Sequence, residues 1–581
     1  MNQKRFSTIF IYILLTIIFL APRLPKIDSF VTLDEPSWLS QGANYYYALG
    51  QREFENTVYE YQPAVTTMSI IALSMHLYFP EYRGLGQGYL DYEKGTLDPF
   101  MFEHGKNPLT LLTYARTTQI LVLLFLFLVL YFLLQKFFQK YIAAFILIFA
   151  SLDPFYLSQM RLMNHEGMVS LFVLISLTSL SLYLFKENKI LFLMVSGVAA
   201  GFAQLTKSSS IAMLVGIGFL LLINFFQERK QGWGKNIFTQ IKTFTIWLAC
   251  LALTYFIFWP GMWVAPGKML YEVFGNAFSF AFQGARLKVT EELDVTQFSL
   301  NTRLEDTWNI ARILLYKTTP ITWLGFILGF IFPLNKKINP RFALDLNLVA
   351  VNRLFVSVWL VSGIAFIILF GIAQGRNSPH YILTSYLSFN LIAGLGWFYA
   401  LQWISSLFNT KQMQIHSISL ITILLLQTYN VFSTFPYYFT YRNPILYAMG
   451  WYNEFPHFPY GEGLEIAAQF LAEQPDAKNS VVFSYYSRGC FSYFYPGQAI
   501  SFRPYYADGE HNEDLLNNLN ASDYLIVYYA NQGQLRHYDN FLQILSAVEP
   551  FHIVWMNDYE YIRVYKVEDF SLEVITALED L

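Results

Sequence analysis

The chain has 581 residues, 55% of them hydrophobic and 14% charged, with a mean hydropathy of +0.35 and a formal net charge of -3. That much apolar surface exceeds what one soluble core hides and places the chain in a membrane, while an aromatic content of 19% fits rings packed in the bilayer and anchored at its interfaces. The near-neutral charge, with no basic arm or zinc-finger spacing, argues against nucleic acid as a partner, and the two cysteines, Cys250 and Cys490, form no CxxC pair or metal framework.

A span needs roughly 20 apolar residues. The runs near 6–22, 117–134, 140–157, 167–185, 190–206, 209–226, 243–259, 319–334, 353–373, 380–402 and 415–434 predict about eleven transmembrane helices. The first follows Lys4 and Arg5 and lacks a small-residue cleavage site, so it reads as a retained span. With the N-terminus in the cytoplasm, the Lys- and Arg-rich connections 135–139, 186–189, 227–242 and 335–352 all fall on the cytoplasmic side. The opposite side then receives two long loops, 23–116 and 260–318, and the segment 435–581. In that last segment an amphipathic helix over 461–474 and β-rich runs at 480–485, 524–529 and 561–567 predict a small extracytoplasmic α/β domain, with 1–434 as the membrane domain.

Four outside stretches carry candidate chemistry. Asp34-Glu35-Pro36 opens the first loop, and a carboxylate there suits a general base that takes an acceptor's proton while a sugar C1 gains oxocarbenium character. The competing reading is a helix start, with Asp34 as cap ahead of Pro36. Arg161, His165 and Glu166 gather where the third span gives way to the fourth, either as a functional cluster or as an Arg161–Glu166 ion pair fixing the hairpin. Lys207, in Leu205-Thr206-Lys207-Ser208, offers a cation beside hydroxyls, suited to phosphate or to an interface anchor. Arg376 and His380, between the ninth and tenth spans, add positive charge on the same face. A lipid phosphate at headgroup depth would meet Lys207 and Arg376, with Arg161 and His380 as helpers.

At these residues the sequence resembles the superfamily of protein O-mannosyltransferases and aminoarabinose transferases, whose members share the glycosyltransferase-C fold. Asp34-Glu35 resembles the acid pair of that family's first outside loop. Tyr61-Gln62-Pro63-Ala64 stands where members carry a His-Pro-Pro-like element before a juxtamembrane helix. Arg161 followed by Glu166 resembles the family's Arg-and-acid pattern, with Glu in place of the usual Asp, and Leu205-Thr206-Lys207-Ser208 resembles its Leu-Thr-Lys loop. His380-Tyr381-Ile382-Leu383 resembles an Arg-Tyr-Leu-Leu-Pro element with His in place of Arg, and 437–444 resembles a segment preceding the outer domain of bacterial members.

The resemblance covers roughly residues 1–400. It implies a bacterial plasma-membrane enzyme that transfers a monosaccharide from a polyprenyl-phosphate donor, with inversion, to an extracytoplasmic acceptor such as a protein hydroxyl, a lipid or an envelope glycan. Within it Asp34 would be the general base and Glu35 its neighbour. Lys207, Arg376, Arg161 and His380 would hold the donor phosphate, and Glu166 and His165 would support them. No cofactor beyond the lipid-linked donor is assigned, and no metal ligands, since the expected His-Pro is missing. The alternatives are a transporter or flippase, or a non-catalytic assembly factor that binds polyprenyl lipids.

Overall fold

Apolar runs that must satisfy every backbone group inside hydrocarbon fold as helices, and most of this chain does so. The computed structural model describes residues 3–58, 62–91, 93–228, 232–283, 299–333, 346–373, 378–408, 411–451, 460–507, 510–531 and 536–581. The chain packs as two units. One comprises 1–25, 45–85 and 116–443; the other comprises 26–44, 86–115 and 444–581.

Among the described residues, seven helices are long and apolar enough to cross a membrane, and an eighth span results if Leu300–Lys317 and Pro320–Ile331, bent by 112°, count as one. The seven include Pro108–Leu134, Glu166–Glu187 and Pro379–Ser406. The remaining expected spans coincide with shorter apolar helices: Phe6–Leu20, Lys140–Ser151 and Ile190–Thr206. A 17-residue helix such as Ile190–Thr206 rises about 25 Å, a little less than the roughly 30 Å hydrocarbon core. A fourth short apolar helix, Val65–Tyr78, lies in the stretch expected to be a loop.

The expected span 140–157 is not one helix. Asp153 ends it as the N-cap of a new helix, Pro154–Gln159, its carboxylate accepting the Tyr156 N–H at 2.9 Å, with Pro154 where no donor is needed. Elsewhere small residues bring helices into close contact. A Cβ added at Gly325 would lie 2.8 Å from the Ala393 carbonyl, and one at Gly329 would lie 2.8 Å from the Ile392 carbonyl. This small-xxx-small spacing lets Pro320–Ile331 seat directly on Leu383–Ser406.

The second unit is built on a five-stranded mixed sheet, β1 Val481–Tyr485, β2 Gln498–Phe502, β3 Tyr524–Tyr528, β4 His552–Met556 and β5 Tyr559–Lys566, in the order β2-β1-β3-β5-β4. The pairs β1–β2 and β1–β3 are parallel, and β3–β5 and β4–β5 are antiparallel. Asn557 and Asp558, both at positive φ (50° and 60°), make the two-residue turn of the β4–β5 hairpin. Val482, Phe483, Leu525, Ile526, Ile562 and Val564 are fully buried and form the core of the sheet. The helix expected over 461–474 is observed as Leu464–Ala472.

Candidate active site

Within the membrane unit, the chemistry gathers where Glu166–Leu182 begins and Ile190–Thr206 ends. Lys207 leaves the helix in an extended conformation (φ -156°, ψ 129°), which turns its side chain back toward the neighbouring helix start. There Lys207 Nζ meets Glu166 Oε1 at 2.5 Å, and both side chains are buried. The ammonium also lies 4.2 Å from the centre of the Tyr381 ring and 5.7 Å from that of Phe370, which compensates part of its lost hydration.

His165 is buried beside this pair. Its Nδ1 is hydrogen-bonded to Thr67 Oγ1 at 2.6 Å, and its backbone N–H donates to Glu166 Oε2 at 3.1 Å. Glu166 therefore receives Lys207 on one oxygen and the helix-entry backbone on the other. Thr66 donates to Thr206 at 2.8 Å, so the helix Val65–Tyr78 touches this site twice. The His380 ring meets Tyr381 edge-on, with centroids 4.3 Å apart, and is close enough to act electrostatically on both Glu166 and His165. Lys207, Glu166, His165 and His380 thus come together. Arg376 lies outside the described residues.

Arg161 is not Glu166's partner. The Arg161 guanidinium donates to three backbone carbonyls, Arg23 at 3.1 Å, Pro436 at 2.9 Å and Pro25 at 2.6 Å, and lies 5.1 Å from the Tyr438 ring centre. Such a fork binds three chain segments together, a structural task that competes with the phosphate role read from sequence. Arg23 was missed. It is fully buried and donates to the carbonyls of Phe19 and Ser151. The signal was available, because an arginine just past the first span falls on the side where positive charge is unexpected.

In the second unit the two candidate acids separate. Glu35 Oε2 accepts the Thr32 N–H at 2.8 Å across the turn that leads into the helix, where the Glu35 N–H also donates to the Thr32 carbonyl at 3.2 Å, and Glu35 is fully buried. Asp34 is exposed, and its carbonyl accepts the Trp38 N–H at 3.0 Å as the helix Glu35–Gln51 starts. Glu35 is thus tied into the turn before the helix, while Asp34 occupies the N-cap position with its carboxylate exposed.

The segment around Asp34 is held by residues from the end of the chain. Leu33 N–H donates to the Tyr460 carbonyl at 3.1 Å. Arg488 donates to the Pro36 carbonyl at 3.2 Å and to Ser40 Oγ at 2.7 Å, and its Nε lies 3.5 Å from Asp98 Oδ2. Tyr493 donates to Asp98 Oδ1 at 2.9 Å. Burial holds the Asp98 carboxyl above its ordinary range despite the pull of Arg488 and Tyr493 toward the anion. Gly461 sits at φ +109°, where an added Cβ would lie 2.7 Å from the Val31 carbonyl and 2.8 Å from Cys490 Sγ, so only glycine fits the join. Burial, and then the acids Glu35, Glu465, Asp34 and Glu462, push the Cys490 thiol well above its ordinary range. Among the described residues no group of three or more His, Cys, Asp or Glu could hold a metal ion.

Residues 111–259 match the family model described as dolichyl-phosphate-mannose-protein mannosyltransferase, a stretch containing Arg161, His165, Glu166 and Lys207. A search of curated proteins finds no match. Among solved structures, ArnT from Cupriavidus metallidurans bound to undecaprenyl phosphate is 11% identical with a TM-score of 0.43, covering 95% of this chain and 97% of its own. The oligosaccharyltransferase of Archaeoglobus fulgidus, in complex with Zn and sulfate, is 10% identical with a TM-score of 0.46, covering 89% of this chain and 68% of its own.

Proposed function

With its central membrane helices matching a mannosyltransferase family model, we propose that this chain is a membrane glycosyltransferase that moves one monosaccharide from a polyprenyl-phosphate donor to an extracytoplasmic acceptor. The observation that carries the reading is the buried Lys207–Glu166 pair, with His165 and His380 beside it, at one end of the helices inside the matched stretch. A buried ion pair costs desolvation that apolar side chains would avoid. Its presence at the end of membrane helices marks a site with a use for charge.

In the proposed reaction the acceptor's oxygen or nitrogen attacks C1 of the sugar from the side opposite the phosphate. The bond from C1 to the phosphate oxygen breaks, and the polyprenyl phosphate leaves with the electron pair. Asp34 takes the acceptor's proton, and the configuration at C1 inverts. Lys207, His380 and Arg376 stabilise the departing phosphate. Because the Lys207–Glu166 pair is neutral as a unit, the surplus positive charge on the phosphate falls to Arg376 and to His380 when protonated.

Mass spectrometry of envelope glycans and lipids from cells with and without the gene tests the proposal, and a difference of one monosaccharide in one class is expected. No difference would favour a transporter or an assembly factor. Restoring the gene with Asp34→Asn should lower the product by about 10² to 10⁴-fold while the protein persists in the membrane. Since Asn caps a helix about as well as Asp, a fully active Asp34→Asn variant would reduce Asp34 to a helix cap.

A further inference from the structure

At the end of the same helices remote from Lys207, charge meets a cavity. The helix that begins at Glu166 runs on to Glu187, so Phe185 and Lys186 lie about 30 Å from Glu166. Met213–Gln227 ends here, and Leu346–Ile372 enters here. Between them lies a cavity of about 680 Å³ lined by Phe185, Lys186, Ile223, Gln227, Arg353 and Leu354 among others.

Three features describe its occupant. The first is charge: Lys186 and Arg353 line the cavity, and Lys136 and Lys189 lie close by, both paired with Glu187. Set against Glu187 and Glu228, the adjacent acids in sequence, these four cations leave the rim positive. The second is the way Lys186 is held, its ammonium donating to the Lys136 carbonyl and lying 5.5 Å from the Phe137 ring centre. Neither partner cancels its charge. The third is the continuation of the apolar wall, since Leu222 and Phe226, on the helix that contributes Ile223 and Gln227, are 51% and 55% exposed. A soluble anion would use the cations and leave that surface bare, whereas a lipid would use both.

We propose that this cavity binds an anionic phospholipid, with the phosphodiester between Lys186 and Arg353, a headgroup hydroxyl on Gln227, and the acyl chains along Ile223, Leu354 and the exposed Leu222–Phe226 surface. Basic pockets between membrane helices recognise lipid headgroups in this way. The site is separate from the proposed donor site and does not depend on the chain being a transferase.

The test is native mass spectrometry of the detergent-purified full chain, incubated separately with phosphatidylglycerol and with phosphatidylcholine. One phosphatidylglycerol should be retained per chain and phosphatidylcholine should not. In Lys186→Gln/Arg353→Gln the retention should fall at least tenfold. Inorganic phosphate in excess should not displace the lipid, because it cannot replace the acyl contacts. Equal retention of both lipids, undiminished retention by the double variant, displacement by inorganic phosphate, or preferential retention of a polyprenyl phosphate would each overturn the proposal. Should the double variant fail to fold, photo-crosslinking of wild-type protein with a diazirine-acyl phosphatidylglycerol decides. Labelled peptides from 222–227 or 350–357 are expected, and labelling confined to other helices would refute the site.

Discussion

Lys207 and Glu166 are each other's main compensation for burial, so removing one leaves the other charged and poorly solvated. Breaking such a pair typically costs about 3 to 5 kcal/mol, whereas replacing both partners together is often near neutral. Lys207→Met alone should therefore lower the melting temperature in detergent markedly, and Lys207→Met/Glu166→Gln should recover most of it. If the lysine also meets the donor phosphate, the double variant will be stable and yet fail to restore the envelope product. Recovery of both properties would assign the pair to structure alone. A second prediction concerns Cys490. Buried and ringed by acids, its thiol should resist maleimide near neutral pH in the native protein and react after denaturation, as peptide mass spectrometry would show; rapid native labelling would contradict the packing. At this scale the sequence exposed charges more readily than partners. Lys207 stood out as a cation at a helix end, but its bond to a residue 41 positions away depends on how two helices dock. The tie from Glu35 back to the Thr32 N–H was legible as a local Thr-x-x-Glu pattern that the acid pair overshadowed.

The segment carrying Asp34 is shaped by elements distant in sequence. Arg488 fixes the Pro36 carbonyl and Ser40, and Asp98, itself held by the Tyr493 hydroxyl, fixes Arg488. Arg488→Ala should therefore raise amide hydrogen exchange across 33–40 by an order of magnitude or more, and Tyr493→Phe should do so less. Unchanged exchange in Arg488→Ala would mean that the helix start holds itself. The helical elements were legible because apolar runs of span length have few other folds. The break at Asp153-Pro154 carried the same cap signal weighed at Asp34, yet the surrounding hydrophobicity hid it. In the sheet, β1, β3 and β5 announce themselves by β-rich runs. The edge strands β2 and β4 do not, because their pairing is decided by the neighbours they dock against.

For the whole molecule, the basic connections and the odd number of expected spans predict a cytoplasmic N-terminus and an extracytoplasmic 435–581. Alkaline phosphatase fused after Leu581 should be active and a cytoplasmic fluorescent reporter there dark; the reverse pattern would overturn both the orientation and an outside Asp34. The number of spans was the least legible quantity. Three of the expected helices are shorter than 18 residues, and one span arises only from a pair bent by 112°. Hydropathy reports apolar length and is blind to such bends.

The unit that holds Asp34 is assembled from three stretches of chain, and its Arg488–Pro36 bond joins residues 452 positions apart. On the ribosome, at about 5 to 20 residues per second, those partners are born roughly 20 to 90 s apart. During that interval the acidic segment has emerged without its clasp. A nascent or prematurely terminated chain thus carries the membrane helices but lacks a finished Asp34 segment, so translation must run past the first strand, β1, to Arg488 before the carboxylate is set in place.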